Sequence, residues 1–298
     1  MTKQDLYRIR DFVPDFDAIA AEFTERSAEL AARARVIANL RYGERPREVL
    51  DVILPDRPTT GAPLHIFVHG GYWRSGEKHN YYLVAHPVLS AGGVAAFVEY
   101  DLMPHKRLEV LVDQVRRAVG WLQAHCREFG ADPARLTVSG HSAGAHLASY
   151  LAAKGPKEDR QPVLPSIQGL FLLSGIYDLS DIPQSFLREE AQMTEAEAGA
   201  WSPLASSHHP ARRIIAYGGQ ETAPFLEQAS LFHGRLSSSN GKADLISAPG
   251  LNHMSVVLDL ADTEGFLGRH LHDLVAAPTK LASFEQIRAT RPDRGRGL

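Results

Sequence analysis

Short apolar runs alternate with helical stretches along most of this chain, and that alternation restricts the fold more than any other feature. The runs are EVLDVIL (48–54), LHIFVHG (64–70), VAAFVEYD (94–101), RLTVSG (135–140), GLFLLSG (169–175), RRIIAYGG (212–219) and ADLISAPG (243–250). Between most of them lie stretches with helical patterning, such as RLEVLVDQVRRAVGWLQAHCREFG and PFLEQASLFHGRL. Strand-helix alternation at this spacing predicts a mostly parallel sheet with helices on both faces, an α/β architecture. Residues 177–210 break the pattern with short helical pieces and many polar residues, so they are expected to form a cap-like excursion above the carboxyl edge of the sheet. The first forty-five residues are expected to be a helical segment, with FDAIAAEFTERSAELAARARVIANL (16–40) as one or two helices. There Ile19, Phe23, Leu30 and Ile37 recur at roughly helical spacing. The tail 279–298, ending in TRPDRGRGL, is expected to be frayed and solvated.

Composition excludes several function classes. A net charge of −3 over 298 residues provides no basic field for a nucleic acid partner. The longest apolar runs, such as GLFLLSGIY, fall well short of the ~20 residues of a membrane helix. A single cysteine, Cys126, leaves no internal disulfide framework. The opening MTKQDLYRIRDF is charged without an apolar core, so a cytoplasmic location is expected. The N-terminal helical stretch could serve as a lid or as the contact of a homodimer.

RLTVSGHSAGAHLASYLAA reads as strand, sharp turn, helix, and GHSAG (140–144) within it fits G-x-S-x-G. In that setting the serine sits on a strained turn with its hydroxyl lifted above the sheet, which makes Ser142 the candidate nucleophile. The bland alternative is a tight turn with an N-capping serine. A serine hydroxyl attacks only when a base takes its proton, and the base needs a carboxylate to orient it. The order in such architectures is serine, acid, histidine. LNHMS after the last strand nominates His253 as base, and GGQETAPF after the preceding strand nominates Glu221 as acid, with Asp178 as its rival. His141 and His146, flanking the serine, are expected to pack rather than to act as base.

An attacked carbonyl develops negative charge that waiting N–H donors must hold. FVHGGYWRSG (67–76) can supply them: its glycines admit close backbone approach, and the expected donors are Gly71 and Tyr72, with Ala143 after the serine. His69 is expected to brace this loop. Tyr72 and Trp73 would pack beside the acyl or aryl group of a substrate.

Together, HGGYWRSG and GHSAGAH, with VEYDLMP, LLSGIYDL, MTEAEAGAWSPL, GGQETAPFLEQA and LNHMSVV, resemble the kynurenine formamidase (arylformamidase) family, within the HGGxW group of α/β-hydrolases. The resemblance runs from about residue 35 to 275. A serine mechanism needs no cofactor, and the histidines show no metal-ligand spacing, so no metal is expected; the resemblance implies an α/β-hydrolase fold over a single domain. It also implies a triad of Ser142, Glu221 and His253, and an oxyanion hole from the HGGYW amides. Members of the family hydrolyse the aryl formamide of N-formylkynurenine, and some relatives act on other small amides and esters. Tyr177 is expected as a further substrate contact. Arg188, in IPQSFLREEAQMT, stands where relatives carry a smaller polar residue, and it could pair with a substrate carboxylate. Three readings follow: an arylformamidase-like serine hydrolase, a carboxylesterase or amidase for another small molecule, and a hydrolase-like binding protein without turnover.

Overall fold

Every residue of VLDVIL, APLHIFV, VAAFV and GLFLL is buried, and these four segments are strands of one eight-stranded sheet. Successive side chains of a strand point to opposite faces, so complete burial means that both faces are covered. The computed structural model describes residues 4–57, 60–158, 166–238 and 242–278. The tail expectation for 279–298 lies outside the described residues.

The strands are β1 (Arg35–Arg41), β2 (Val49–Leu54), β3 (Ala62–Val68), β4 (Val94–Val98), β5 (Ala131–His141), β6 (Gly169–Leu173), β7 (Arg212–Gly218) and β8 (Lys242–Ala248). The helices are α1 (Phe16–Arg33), α2 (Ala85–Ser90), α3 (Leu108–His125), α4 (Ala143–Ser149), α5 (Arg188–Ala191), α6 (Glu195–Ala200), α7 (Ala223–Ser237), α8 (Ser255–Ala261) and α9 (Phe266–Ala276). Helix α3 shows how such an element is held. Leu108, Leu111, Val112, Val115, Ala118, Val119 and Leu122 recur at helical spacing and are all buried, while its charged residues line the other side. Among the described residues no helix is long and apolar enough to cross a membrane.

The sheet order is β1-β2-β4-β3-β5-β6-β7-β8, with β2 antiparallel to both neighbours and β3 to β8 parallel. This is the α/β-hydrolase fold expected from the sequence. From β3 the chain first steps to one side, to β4, and then returns across to β5 on the other. The loops after β3 and β5 therefore leave neighbouring strands at the same edge, beside those after β6, β7 and β8. Ligands in open α/β sheets bind at such a switch point. A buried polar cluster fixes the β3–β5 register beneath it: His65 reaches Thr137 Oγ1 (2.9 Å) and Ser139 Oγ (2.7 Å). Burial pushes the His65 imidazole down to about 3, so it is neutral.

One expectation is corrected. The helical reading of residues 16–40 holds only to Arg33; β1 follows and pairs antiparallel with β2. The seven-residue step from Leu30 to Ile37 suits a helix, but the β-branched pair Val36-Ile37 suits a strand, and β2 would otherwise present an unpaired edge. The β1 register slips between Ile37 and Leu40, where Asn39 adopts φ 58° and donates its N–H to Asp51 Oδ1 at 2.6 Å. The excursion 177–210 contains α5 and α6, joined by short turns.

Candidate active site

The loop after β5 is a strained turn. Ser142 has φ 55° and ψ −119°, and its N–H donates to Leu173 O at the end of β6 (2.9 Å). A Cβ on Gly140 would lie 2.4 Å from Gly144 O, and one on Gly144 would lie 2.1 Å from Val68 O. Only glycine lets β3, the turn and α4 approach this closely, so the G-x-S-x-G spacing is a packing requirement here.

The loop after β7 carries Glu221 and the loop after β8 carries His253. Their side chains meet: His253 Nδ1–H donates to Glu221 Oε2 at 2.7 Å, with both residues buried. The other carboxylate oxygen, Oε1, accepts from Ser174 Oγ (2.5 Å) and from the Gly218 N–H (2.6 Å). These donors fix the carboxylate, the carboxylate fixes the imidazole tautomer, and Nε2 keeps its lone pair. The His253 backbone is also tied down, because its carbonyl accepts from His141 Nε2–H at 2.9 Å. Burial and the neighbouring His253 hold His141 well below the usual histidine range, so it is a neutral donor. The rival acid, Asp178, faces elsewhere and accepts the Ser180 N–H at 3.0 Å. Ser142 and His253 line one cavity of about 510 Å³. Among the described residues the Ser142 hydroxyl makes no hydrogen bond.

After β3, Gly71, Tyr72 and Trp73 have consecutive positive φ values of 115°, 50° and 60°. The Gly71 carbonyl is occupied by the N–H groups of Arg74 (3.1 Å) and Ser75 (3.0 Å). Among the described residues no protein group accepts the N–H of Gly71, Tyr72 or Ala143. Gly71, Tyr72 and Ser142 share the cavity wall. The loop is braced from behind. His69 spans the Gly70 carbonyl (Nδ1, 2.7 Å) and the Glu99 carboxylate (Nε2, 2.8 Å), and stacks on Tyr100 with ring centres 4.2 Å apart. Burial alone would raise Glu99, but the His69 contact and the adjacent Arg47 hold it below the ordinary carboxylate value.

Three expected substrate contacts are placed elsewhere. Trp73 is fully buried behind the loop, where its Nε1–H donates to His146 Nδ1 (3.0 Å) and His146 Nε2–H donates to the Trp201 carbonyl (2.8 Å). It ties the loop to the excursion rather than contacting a ligand; an indole this large is best buried with its single donor satisfied. Burial brings His146 down to about 4. Tyr177 is buried against Phe232, ring centres 4.3 Å apart. Arg188 begins α5 with its side chain 71% exposed, and its nearest acid is Glu189 at 3.9 Å. None of the three lines the cavity.

Sequence reasoning missed the far wall. It comes from the residues before α1 and from α1 itself, including Arg8, Phe16 and Phe23, with Phe186 from the excursion. This segment is stitched over the site. Tyr72 Oη–H donates to Tyr7 O (2.5 Å), Thr222 Oγ1–H to Leu6 O (2.8 Å), Gln228 Nε2–H to Tyr7 Oη (2.9 Å) and the Phe186 N–H to Asp5 Oδ2 (2.5 Å). The N-terminal stretch, expected as a lid or as a dimer contact, thus forms part of the cavity wall. Ser174 was also missed, since LLSG carries no local mark of a carboxylate partner.

Comparison with known proteins agrees with this architecture. The BD-FAE family profile matches residues 50–198. The kynurenine formamidase of Salmo salar is 34% identical over 249 residues, covering 81% of each chain, and that of Danio rerio is 31% identical over 259 residues, covering 85% of each. Among solved structures, a provisionally assigned thioesterase from Silicibacter sp. TM1040 superposes with a TM-score of 0.78 at 27% identity, over 93% of this chain and 100% of that one. The Pyrobaculum calidifontis esterase, at 19% identity, shares the fold with a TM-score of 0.65, over 87% of this chain and 92% of that one. The protein is a hydrolase, and its chain belongs to the kynurenine formamidase family of α/β-hydrolases.

Proposed function

We propose that this hydrolase cleaves small aryl amides, an aryl formamide such as N-formylkynurenine first among them, through an acyl-enzyme on Ser142. The observation that carries the reading is the buried Glu221–His253 hydrogen bond, with His253 and Ser142 lining one cavity together with Gly71 and Tyr72, whose N–H groups no protein group accepts among the described residues. The Salmo salar and Danio rerio relatives, named as kynurenine formamidases, support the choice of substrate.

In this reading His253 Nε2 takes the Ser142 hydroxyl proton while Oγ bonds to the formyl carbon. The carbonyl oxygen becomes an oxyanion and accepts from the N–H groups of Ala143 and of Gly71 or Tyr72. The imidazolium, stabilised by Glu221, returns its proton to the aryl nitrogen as the C–N bond breaks, which releases the aryl amine. Water then attacks the formyl ester: His253 accepts its proton, passes it back to Oγ, and formate leaves. Each step uses the same base in alternate protonation states, which requires the tautomer that Glu221 fixes.

Turnover of N-formylkynurenine beside p-nitrophenyl acetate, followed by absorbance of the freed aryl amine and of nitrophenolate, tests the substrate. Efficient release of the aryl amine is expected. Cleavage of the ester with an inert formamide would make the protein a carboxylesterase instead.

A further inference from the structure

Three arginines line the cavity, Arg8, Arg10 and Arg74. Two are already paired: Arg10 with Asp17 at 2.6 Å and Arg74 with Glu190. Among the described residues no carboxylate pairs with Arg8. Its guanidinium lies over the Phe186 ring, 5.0 Å from the ring centre, and Phe186 meets Tyr72 of the HGGYW loop edge-on at 5.5 Å. Phe186 is itself held, through its N–H, by Asp5. One turn further, Asp11 also lines the cavity, and among the described residues it has no cationic partner. The wall thus carries one unpaired cation and one unpaired anion, three residues apart, next to an aromatic ledge that ends at the oxyanion loop.

Resting on the aryl-amide reading above, we propose that Arg8 and Asp11 form a head-group clamp that sets substrate specificity. Arg8 takes a carboxylate on the leaving-group side of the substrate, and Asp11 takes a cationic amine beside it. A guanidinium presents two parallel N–H donors to a carboxylate, and stacking on Phe186 holds the fork in place while leaving those donors free. This role was expected of Arg188; here Arg8 takes it, because the N-terminal segment closes over the site and α5 turns Arg188 outward.

The test compares three formamides of one aryl scaffold: neutral, carboxylate-bearing, and carrying both carboxylate and amine. For the wild-type protein, Arg8→Gln, Arg8→Lys and Asp11→Asn, kcat/KM is measured on each. Arg8→Gln is expected to lower the ratio of carboxylate-bearing to neutral substrate about tenfold, mostly through KM, with partial recovery in Arg8→Lys. Asp11→Asn is expected to lower only the preference for the amine-bearing substrate over the carboxylate-only one. Circular dichroism and thermal unfolding of the same preparations report whether each variant is folded. Ratios that stay within twofold of wild type would overturn the clamp and leave the aryl-amide reading standing. A wild-type protein that turns over none of the three would overturn both.

Discussion

Replacing Glu221 with glutamine should disable the base by changing its tautomer, and the hydrogen bonds around the carboxylate show why. Oε1 accepts from Ser174 Oγ and from the Gly218 backbone N–H, which can only donate. A glutamine can keep its carbonyl oxygen there, and then its NH2 faces His253 Nδ1, where Oε2 now accepts at 2.7 Å. The alternative flip points NH2 at the Gly218 N–H and leaves that buried donor unpaired, at a cost of roughly 1–3 kcal/mol, although Ser174 Oγ can turn to accept. Moving the imidazole proton from Nδ1 to Nε2 costs less, so the first arrangement wins. Nε2 then carries a proton towards Ser142 and cannot accept one. The expected loss is ~10⁴ in kcat, about 5 kcal/mol of transition-state stabilisation. Steady-state kinetics would give the loss, and nitrogen NMR of labelled histidine would give the tautomer. A loss under tenfold, or an imidazole still protonated at Nδ1, would defeat this explanation. The companion Asp178→Asn should stay within about threefold of wild type, since the Asp178 carboxylate accepts the Ser180 N–H, which an asparagine oxygen can also do; a larger loss there than in Glu221→Gln would name the other carboxylate as acid.

Further outcomes are expected from the same geometry. Ser142→Gly should abolish turnover yet raise stability by about 1 kcal/mol, because glycine adopts φ 55° and ψ −119° without strain; calorimetry reading a lower Tm than wild type would contradict it. His65 and His146 are neutral in the fold, with values near 3 and 4, and ordinary when unfolded. The unfolded chain therefore binds more protons between about pH 6.5 and 4, so stability is complete above that window and declines as pH falls through it. At pH 5 each histidine should cost about 2 kcal/mol relative to neutral pH. Denaturant unfolding with proton-uptake measurement at pH 5 should show about one proton taken up by each, and no net uptake would contradict it. Tyr72→Phe, which removes the hydroxyl donor to Tyr7 O, should lower kcat several-fold if the N-terminal segment positions the loop; unchanged kcat would make that contact incidental.

What could be read from the chain was what local chemistry dictates. Buried strands announce themselves as unbroken apolar runs, and Gly140 and Gly144 are demanded by contacts within one strand-turn-helix unit, so sheet and elbow were legible. Glu221 and His253 could be nominated because each follows a strand whose end must lie at the same sheet edge. Their hydrogen bond, and the part played by Ser174, depend on three loops meeting and leave no local trace. β1 was hidden because Leu30 and Ile37 fit a helical repeat while the need to pair β2 lies elsewhere in the chain. The aromatic and basic residues misled most. Trp73 and Tyr177 are as suited to a core as to a ligand wall, and an arginine is equally well placed facing solvent or substrate. Only the closure of residues 5–24 over the cavity separates Arg8 from Arg188.

Mass spectrometry of the protein quenched during turnover of a slowly deacylating aryl ester would catch the covalent intermediate. A single acyl adduct is expected on the peptide bearing Ser142, forming no later than the burst of released aryl product and lost on a Ser142→Ala background. Product release with no adduct, or with the acyl group on another residue, would show that Ser142 is not the nucleophile.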